Sequence, residues 1–137
     1  MRVSTWMASP VMADVFALWV ERGIASILAR RKTAEMKSRQ AAAADSLQGF
    51  DYAAHPTSMH LWLTVPEPWT DREAVTALGE RGVIASAGQV FAAAPGAGRN
   101  RLRLSLGNPA DLATVRHGLG IIAETLSGVP QQATSIV

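Results

Sequence analysis

The sequence contains no cysteine, which excludes disulfides, thiolate nucleophiles and cysteine-ligated metals. That absence carries no information about redox compartment, because there is nothing to oxidise. Lysine is nearly absent too: Lys32 and Lys37 are the only side chains that could supply a primary amine. There is no Gly-rich phosphate loop, no His-x-x-x-His or His-Glu metal spacing and no Gly-x-Ser-x-Gly elbow. No apolar run reaches the roughly 18 residues of a membrane span. The N-terminal stretch is broken by Ser4, Thr5, Ser9, Pro10 and Asp14, unlike a signal peptide, so a soluble cytoplasmic protein is expected. Charge of one sign is missing as well: 13 Lys plus Arg against 11 Asp plus Glu leave +2, which gives direct nucleic-acid binding little support.

What is present is enough apolar surface for one core, 48% of 137 residues, and one domain is expected. Ser9 before Pro10 reads as an N-cap with proline at the first helical position, and Asp14 adds negative charge to the first turns. Val11, Val15 and Leu18, widened by Met12, Phe16, Trp19 and Val20, give a helix over 9–22 with a broad face expected to be buried. Gly23 marks a break or a close contact. The stretch from Ile24 to Leu47 is rich in helix formers and predicts a second, long helix, with Gly49 as its C-cap.

Beyond Gly49 the period changes. Met59, Leu61, Leu63 and Val65 alternate with His60, Trp62 and Thr64, which predicts a strand closed by Pro66 and Pro68. Asp71 is placed as the cap of a helix running to Glu80 and stopped by Arg81-Gly82; a short apolar strand is expected at Val83-Ile84-Ala85. Gly88 turns the chain toward Gln89-Val90-Phe91, and Ala94 to Gly98 reads as a loop. The clearest strand runs from Arg101 to Leu106, its leucines on one side and Arg101, Arg103 and Ser105 on the other. Asn108 or Asp111 then starts a last helix bearing Leu112, Val115, Leu119, Ile122 and Leu126.

This order predicts an α/β (α+β) two-layer fold, a small mostly antiparallel sheet covered by helices and preceded by two helices. Residues 1–48 are read as helices leading into the domain, 49–128 as the α/β domain proper and 129–137 as a flexible tail.

Few residues carry candidate chemistry. His55, His60 and His117 are scattered; His60 stands out because it lies on the polar face of a strand. The cluster Arg30, Arg31, Lys32, Lys37 and Arg39 lacks interleaved aromatics and includes Glu35, so it reads as a solvated helix face rather than a phosphate patch. Arg103 leaves two readings open. A guanidinium on a rigid strand offers a planar fork to a carboxylate, but the same pattern fits a solvent-facing arginine of a half-buried strand.

Taken in order, Thr5-Trp6-Met7-Ala8-Ser9-Pro10, Trp19 with Gly23, His60-Leu61-Trp62-Leu63 ending in Pro66, Gly82-Val83 leading to Gly88 and Phe91, and Leu102-Arg103-Leu104-Ser105 resemble the C-terminal part of MocR-type regulators. These are GntR-family proteins joining a winged-helix domain to an aminotransferase-like domain that uses pyridoxal phosphate (PLP), of fold type I. The chain departs from that pattern at Ser58-Met59, where the family often has glycine, and at Ala87, where it often has proline.

The resemblance implies the small domain of such a protein, with Arg103 holding the substrate α-carboxylate and PLP as the cofactor of the full-length family. It also implies that the Schiff-base lysine and the cofactor cradle belong to a large domain, since neither Lys32 nor Lys37 matches a Schiff-base motif. On this reading no catalytic, cofactor-binding or metal-binding residue is expected in this chain, and it would not transaminate by itself. A small amino or keto acid, a homo-oligomer such as a dimer, or a separately encoded large domain are the expected partners; a ligand-sensing or protein-interaction module is the alternative.

Overall fold

The computed structural model describes residues 9–94 and 96–130. The Thr5 to Ala8 part of the first motif, Pro95 of the expected loop and residues 131–137 of the expected tail lie outside them. The chain divides into two compact units, residues 1–35 and 36–137, with the boundary inside the second helix.

In the first unit, helix α1 (Pro10–Glu21) begins where expected, with Pro10 in its first turn, although the Ser9 side chain makes no capping hydrogen bond. The expected burial is not found: α1 buries none of its side chains, and Phe16 and Trp19 are both exposed. Gly23, at φ +72°, separates it from α2 (Ile24–Ser46). The left-handed backbone there is one glycine adopts without a Cβ clash.

The second unit starts within α2. Met36, Arg39, Gln40, Ala42 and Ala43 are its buried positions, so the end of this helix is core rather than approach. Four strands follow: β1 (Tyr52–Ala54), β2 (His60–Thr64), β3 (Ser86–Ala87) and β4 (Arg101–Ser105). They form one antiparallel sheet in the order β1-β2-β4-β3. The period-two pattern does what it should: Leu61, Leu63, Leu102 and Leu104 are buried on one face, while His60, Trp62, Thr64, Arg103 and Ser105 remain half-buried on the other. The leucine face meets Ala43 and Leu47 from the α2 segment, Ala74 and Leu78 of α3 (Asp71–Glu80), and Val115, Leu119, Ile122 and Leu126 of α4 (Leu112–Ser127) in one core. This is the two-layer α+β architecture, with helices on one side of the sheet.

Several local expectations are corrected. The third helix is capped by Thr70, whose hydroxyl accepts from Glu73 N while the Glu73 carboxylate accepts from Thr70 N at 2.9 Å, a reciprocal capping box. Asp71 is instead a buried residue of the first turn, accepting from Gln89 Nε2 at 2.8 Å. The short strand is Ser86–Ala87, not Val83–Ala85, because β4 is what it must pair with, and Ile84 is 95% exposed. Gly88–Phe91 forms one turn of 3-10 helix, and β1 is a strand the pattern did not announce. Of the two proposed starts for α4, Asp111 is the N-cap, accepting from Thr114 N at 2.7 Å.

One member of the basic cluster is not on a solvated face. Arg39 is 3% exposed, and its Nη1 donates to the carbonyl oxygens of Leu106 at 2.5 Å and Pro109 at 2.8 Å. It is a buried staple for the chain leaving β4, whereas Lys32 is exposed beside Glu35. Among the described residues, no helix is long and apolar enough to cross a membrane.

Candidate functional site

Pairing of β2 with β4 sets Trp62 opposite Arg103 and His60 opposite Ser105. All four therefore stand on the face turned away from the helices. On its other side β4 pairs with β3, which places Ser86 opposite Arg103. Arg103 thus sits in a central strand, hydrogen-bonded on both flanks, with its backbone fixed.

Its side chain is fixed as well. The chain leaving β3 turns through the 3-10 helix and lays the Phe91 ring against the guanidinium, with Cζ 4.2 Å from the ring centroid. Phe91 is held edge-on by Trp62, at 5.6 Å between centroids and 85° between planes. A flat cation on an aromatic face gains about 0.5–2 kcal/mol depending on exposure. The stacking leaves the guanidinium rim, where the N–H groups point, as the surface for a ligand.

Close approach of two backbones makes this turn possible. A Cβ at Gly88 would meet the Gly98 carbonyl oxygen and stand 3.0 Å from the Arg101 carbonyl oxygen. Glycine is required where the 3-10 turn crosses the loop that feeds β4.

Arg103, Trp62 and His60 share a pocket of about 470 Å³ rimmed by Ala53, His55 and Ser58. Two buried nitrogens on it, Arg103 Nε and His60 Nδ1, have no hydrogen-bond partner among the described residues. Native proteins leave few such atoms unpaired, so each calls for a cause. No aspartate or glutamate lines this pocket. A second, apolar groove also touches Arg103, between Ser86 and α4, but Arg103 is its single ionisable group.

The remaining candidates fall elsewhere. His55 Nδ1 is engaged by Thr57, at 3.0 Å from its hydroxyl, and His117 is exposed on α4. Lys32 and Lys37 are both exposed, and Lys32 pairs with Glu35 at 3.1 Å. A Schiff-base lysine needs an amine whose charge is disfavoured by burial or a neighbouring cation. Neither lysine has such surroundings, so the described residues do not fit PLP as a covalently held cofactor. Among the described residues no group of three or more His, Asp or Glu could hold a metal ion.

The structure therefore brings His60 and Arg103 together and leaves the other histidines and both lysines apart. Sequence reasoning missed Phe91 as the residue that orients Arg103. Its one signal was an aromatic side chain after a glycine turn, common enough to pass as core.

This sheet and its helices share their fold with part of two aminotransferase structures. One similar structure is an archaeal alanine:glyoxylate aminotransferase, at TM-score 0.67 and 19% identity over 80% of this chain. Another is the Pyrococcus horikoshii kynurenine aminotransferase, solved with PMP, KYN as substrates and KYA as products, at TM-score 0.68 and 21% identity over 80% of this chain. The chain spans 28% of the length of each. No family model matches the sequence, and no curated protein matches it.

Proposed function

We propose that this chain is the small-domain part of a PLP-dependent aminotransferase-like protein of the MocR type, a GntR-family transcriptional regulator, and that Arg103 binds the carboxylate of its amino- or keto-acid ligand. The observation that carries the reading is Arg103 itself: half-buried on a doubly paired strand, its guanidinium stacked on Phe91, and lining a pocket without acidic side chains. That is the geometry of a preorganised carboxylate fork. The lysine and the cofactor cradle come from a large domain, encoded in the same or a separate chain.

Calorimetry with pyruvate tests the clamp. Arg103→Ala should weaken binding at least tenfold, since a hydrogen bond to a charged group contributes roughly 1.5–3 kcal/mol. Arg103→Lys should recover only part of it, because a point charge lacks the fork. Equal affinity in wild type and Arg103→Ala would refute the assignment. In parallel, PLP with an amino acid and borohydride should trap no lysine of this chain, and turnover by the isolated chain would overturn the division of labour.

A protein-interaction role is favoured by a different observation. Helix α1 exposes Val11, Met12, Val15, Phe16 and Trp19 together, a larger apolar surface than a single helix needs in water. This face is a partner surface for a second copy or a large domain. Sedimentation velocity should show concentration-dependent association that Phe16→Ser with Trp19→Ser abolishes.

A further inference from the structure

The plane of Arg103 depends on whatever holds Phe91. The 3-10 helix Gly88–Phe91 is a single turn, and such turns have poor hydrogen-bond geometry of their own. Burial does not hold it, since Val90 is 76% exposed and Phe91 43%. Its N-cap, Ala87, has no side chain that could cap it, and a backbone hydrogen bond from Ala92 N to Gln89 O, at 3.2 Å, closes its end. The crossing of Gly88 and Gly98 fixes one point of the turn. With one point fixed the turn can still pivot, and the ring at its end pivots with it.

Gln89 supplies the second point. Its Nε2 donates at 2.8 Å to Oδ2 of Asp71, the first residue of α3. Asp71 is 6% exposed, so its carboxylate has given up most of its water and depends on protein donors. The free N–H groups at the start of the helix favour its charge. Gln89 is exposed, and water could satisfy its amide equally well. The bond therefore serves the carboxylate and the turn rather than the glutamine, and an ionised acceptor makes it stronger than a neutral pair. The start of α3 is itself anchored: Trp69 Nε1 donates to the Gly128 carbonyl at 2.7 Å, and Thr70 and Glu73 close the capping box. A fixed carboxylate holds the glutamine, the glutamine holds the turn, and the turn sets Phe91 against Trp62 and Arg103.

We infer that Asp71 and Gln89 are positioning residues for Arg103, acting through Phe91: neither touches the ligand, and their hydrogen bond sets the plane in which the guanidinium is presented. What this means for binding rests on the carboxylate reading of Arg103 given above, whereas the orientation itself concerns this chain alone.

The test is nitrogen-15 NMR on the full chain, with pyruvate calorimetry beside it. Arg103 Nε is buried and has no hydrogen-bond partner among the described residues, so exchange of its proton with water reports opening of the stack. Gln89→Met keeps the length of the side chain and removes the donor. It should speed that exchange about tenfold, the scale of one hydrogen bond to a charged group, and leave the backbone amides of Leu61 and Leu104 unchanged. Gln89→Glu sets two carboxylates against each other and should speed it at least as much. Adding Asp71→Asn to Gln89→Glu restores the bond with its polarity reversed and should return the rate toward wild type. If Arg103 exchange stays slow in Gln89→Met, or the Leu61 and Leu104 amides accelerate with it, the pair only stabilises the fold and the inference fails. Failure of the reversed pair to restore the rate also overturns it. Should exchange respond as expected while pyruvate affinity stays constant, the positioning stands and the carboxylate reading of Arg103 falls.

Discussion

Arg103 and Phe91 come from opposite ends of the loop that joins the 3-10 helix to β4, and they meet with the guanidinium carbon 4.2 Å from the ring centroid. This contact turns a flexible cation into one with a fixed plane. Phe91→Ala should therefore free the Arg103 side chain without unfolding the domain. Its Nε–H should then exchange with water faster, read by nitrogen-15 NMR, and carboxylate binding should weaken severalfold, in keeping with a cation–π term of about 0.5–2 kcal/mol. Unchanged exchange would mean that Phe91 does not orient the arginine.

Arg39 tests a different claim, that one member of a basic cluster is core. Its removal would leave the carbonyls of Leu106 and Pro109 without their donor in a buried setting. Arg39→Met should cost about 2–4 kcal/mol in urea unfolding, whereas Arg31→Met, on an exposed position, should change stability by less than about 0.5 kcal/mol. Similar midpoints for the two variants would contradict the assignment.

Gly88→Ala places a methyl group on the Gly98 carbonyl and against the Arg101 carbonyl, both backbone atoms that cannot swing aside. The loss should be about 1–3 kcal/mol, as for other forced overpacking. Gly79→Ala, where a Cβ meets nothing within 4 Å, should be neutral or slightly stabilising. Thermal melts of the pair make the comparison.

Two helix caps predict an acid limb of stability. The hydrogen bond from the Thr70 hydroxyl, followed by that from the Thr70 backbone, holds the Glu73 carboxyl below its ordinary value. Asp111 is lowered chiefly by the Thr114 backbone N–H. A carboxyl whose pKa is lower folded than unfolded takes up its proton first in the unfolded chain. Its contribution is fully present above the ordinary carboxylate values of about 4 and is lost as pH falls through the lowered folded values. Asp111→Asn should flatten the loss of stability below about pH 4.5 while changing little in its pH dependence near neutrality. An acid limb as steep as that of the wild type would remove Asp111 from the account.

The periodicity of this sequence determined the leucine face of β2 and β4, the long α2, the extent of α3 and the apolar stripe of α4. Each of those patterns is local, repeating within one element. Resemblance of motif order added the aminotransferase-like fold, which the similar structures share. Tertiary structure decided what depends on pairing across the chain. β3 falls at Ser86–Ala87 because β4 supplies its hydrogen bonds, and β1 exists because β2 offers an edge; propensity marks neither. Arg39 and Arg31 read alike as basic helix residues, and only the chain packed over the end of α2 separates buried staple from solvated charge. Arg103 was visible as a strand arginine. Its plane, its aromatic neighbour and the unpaired His60 nitrogen beside it are products of register and of a glycine crossing, and no window of sequence contains them.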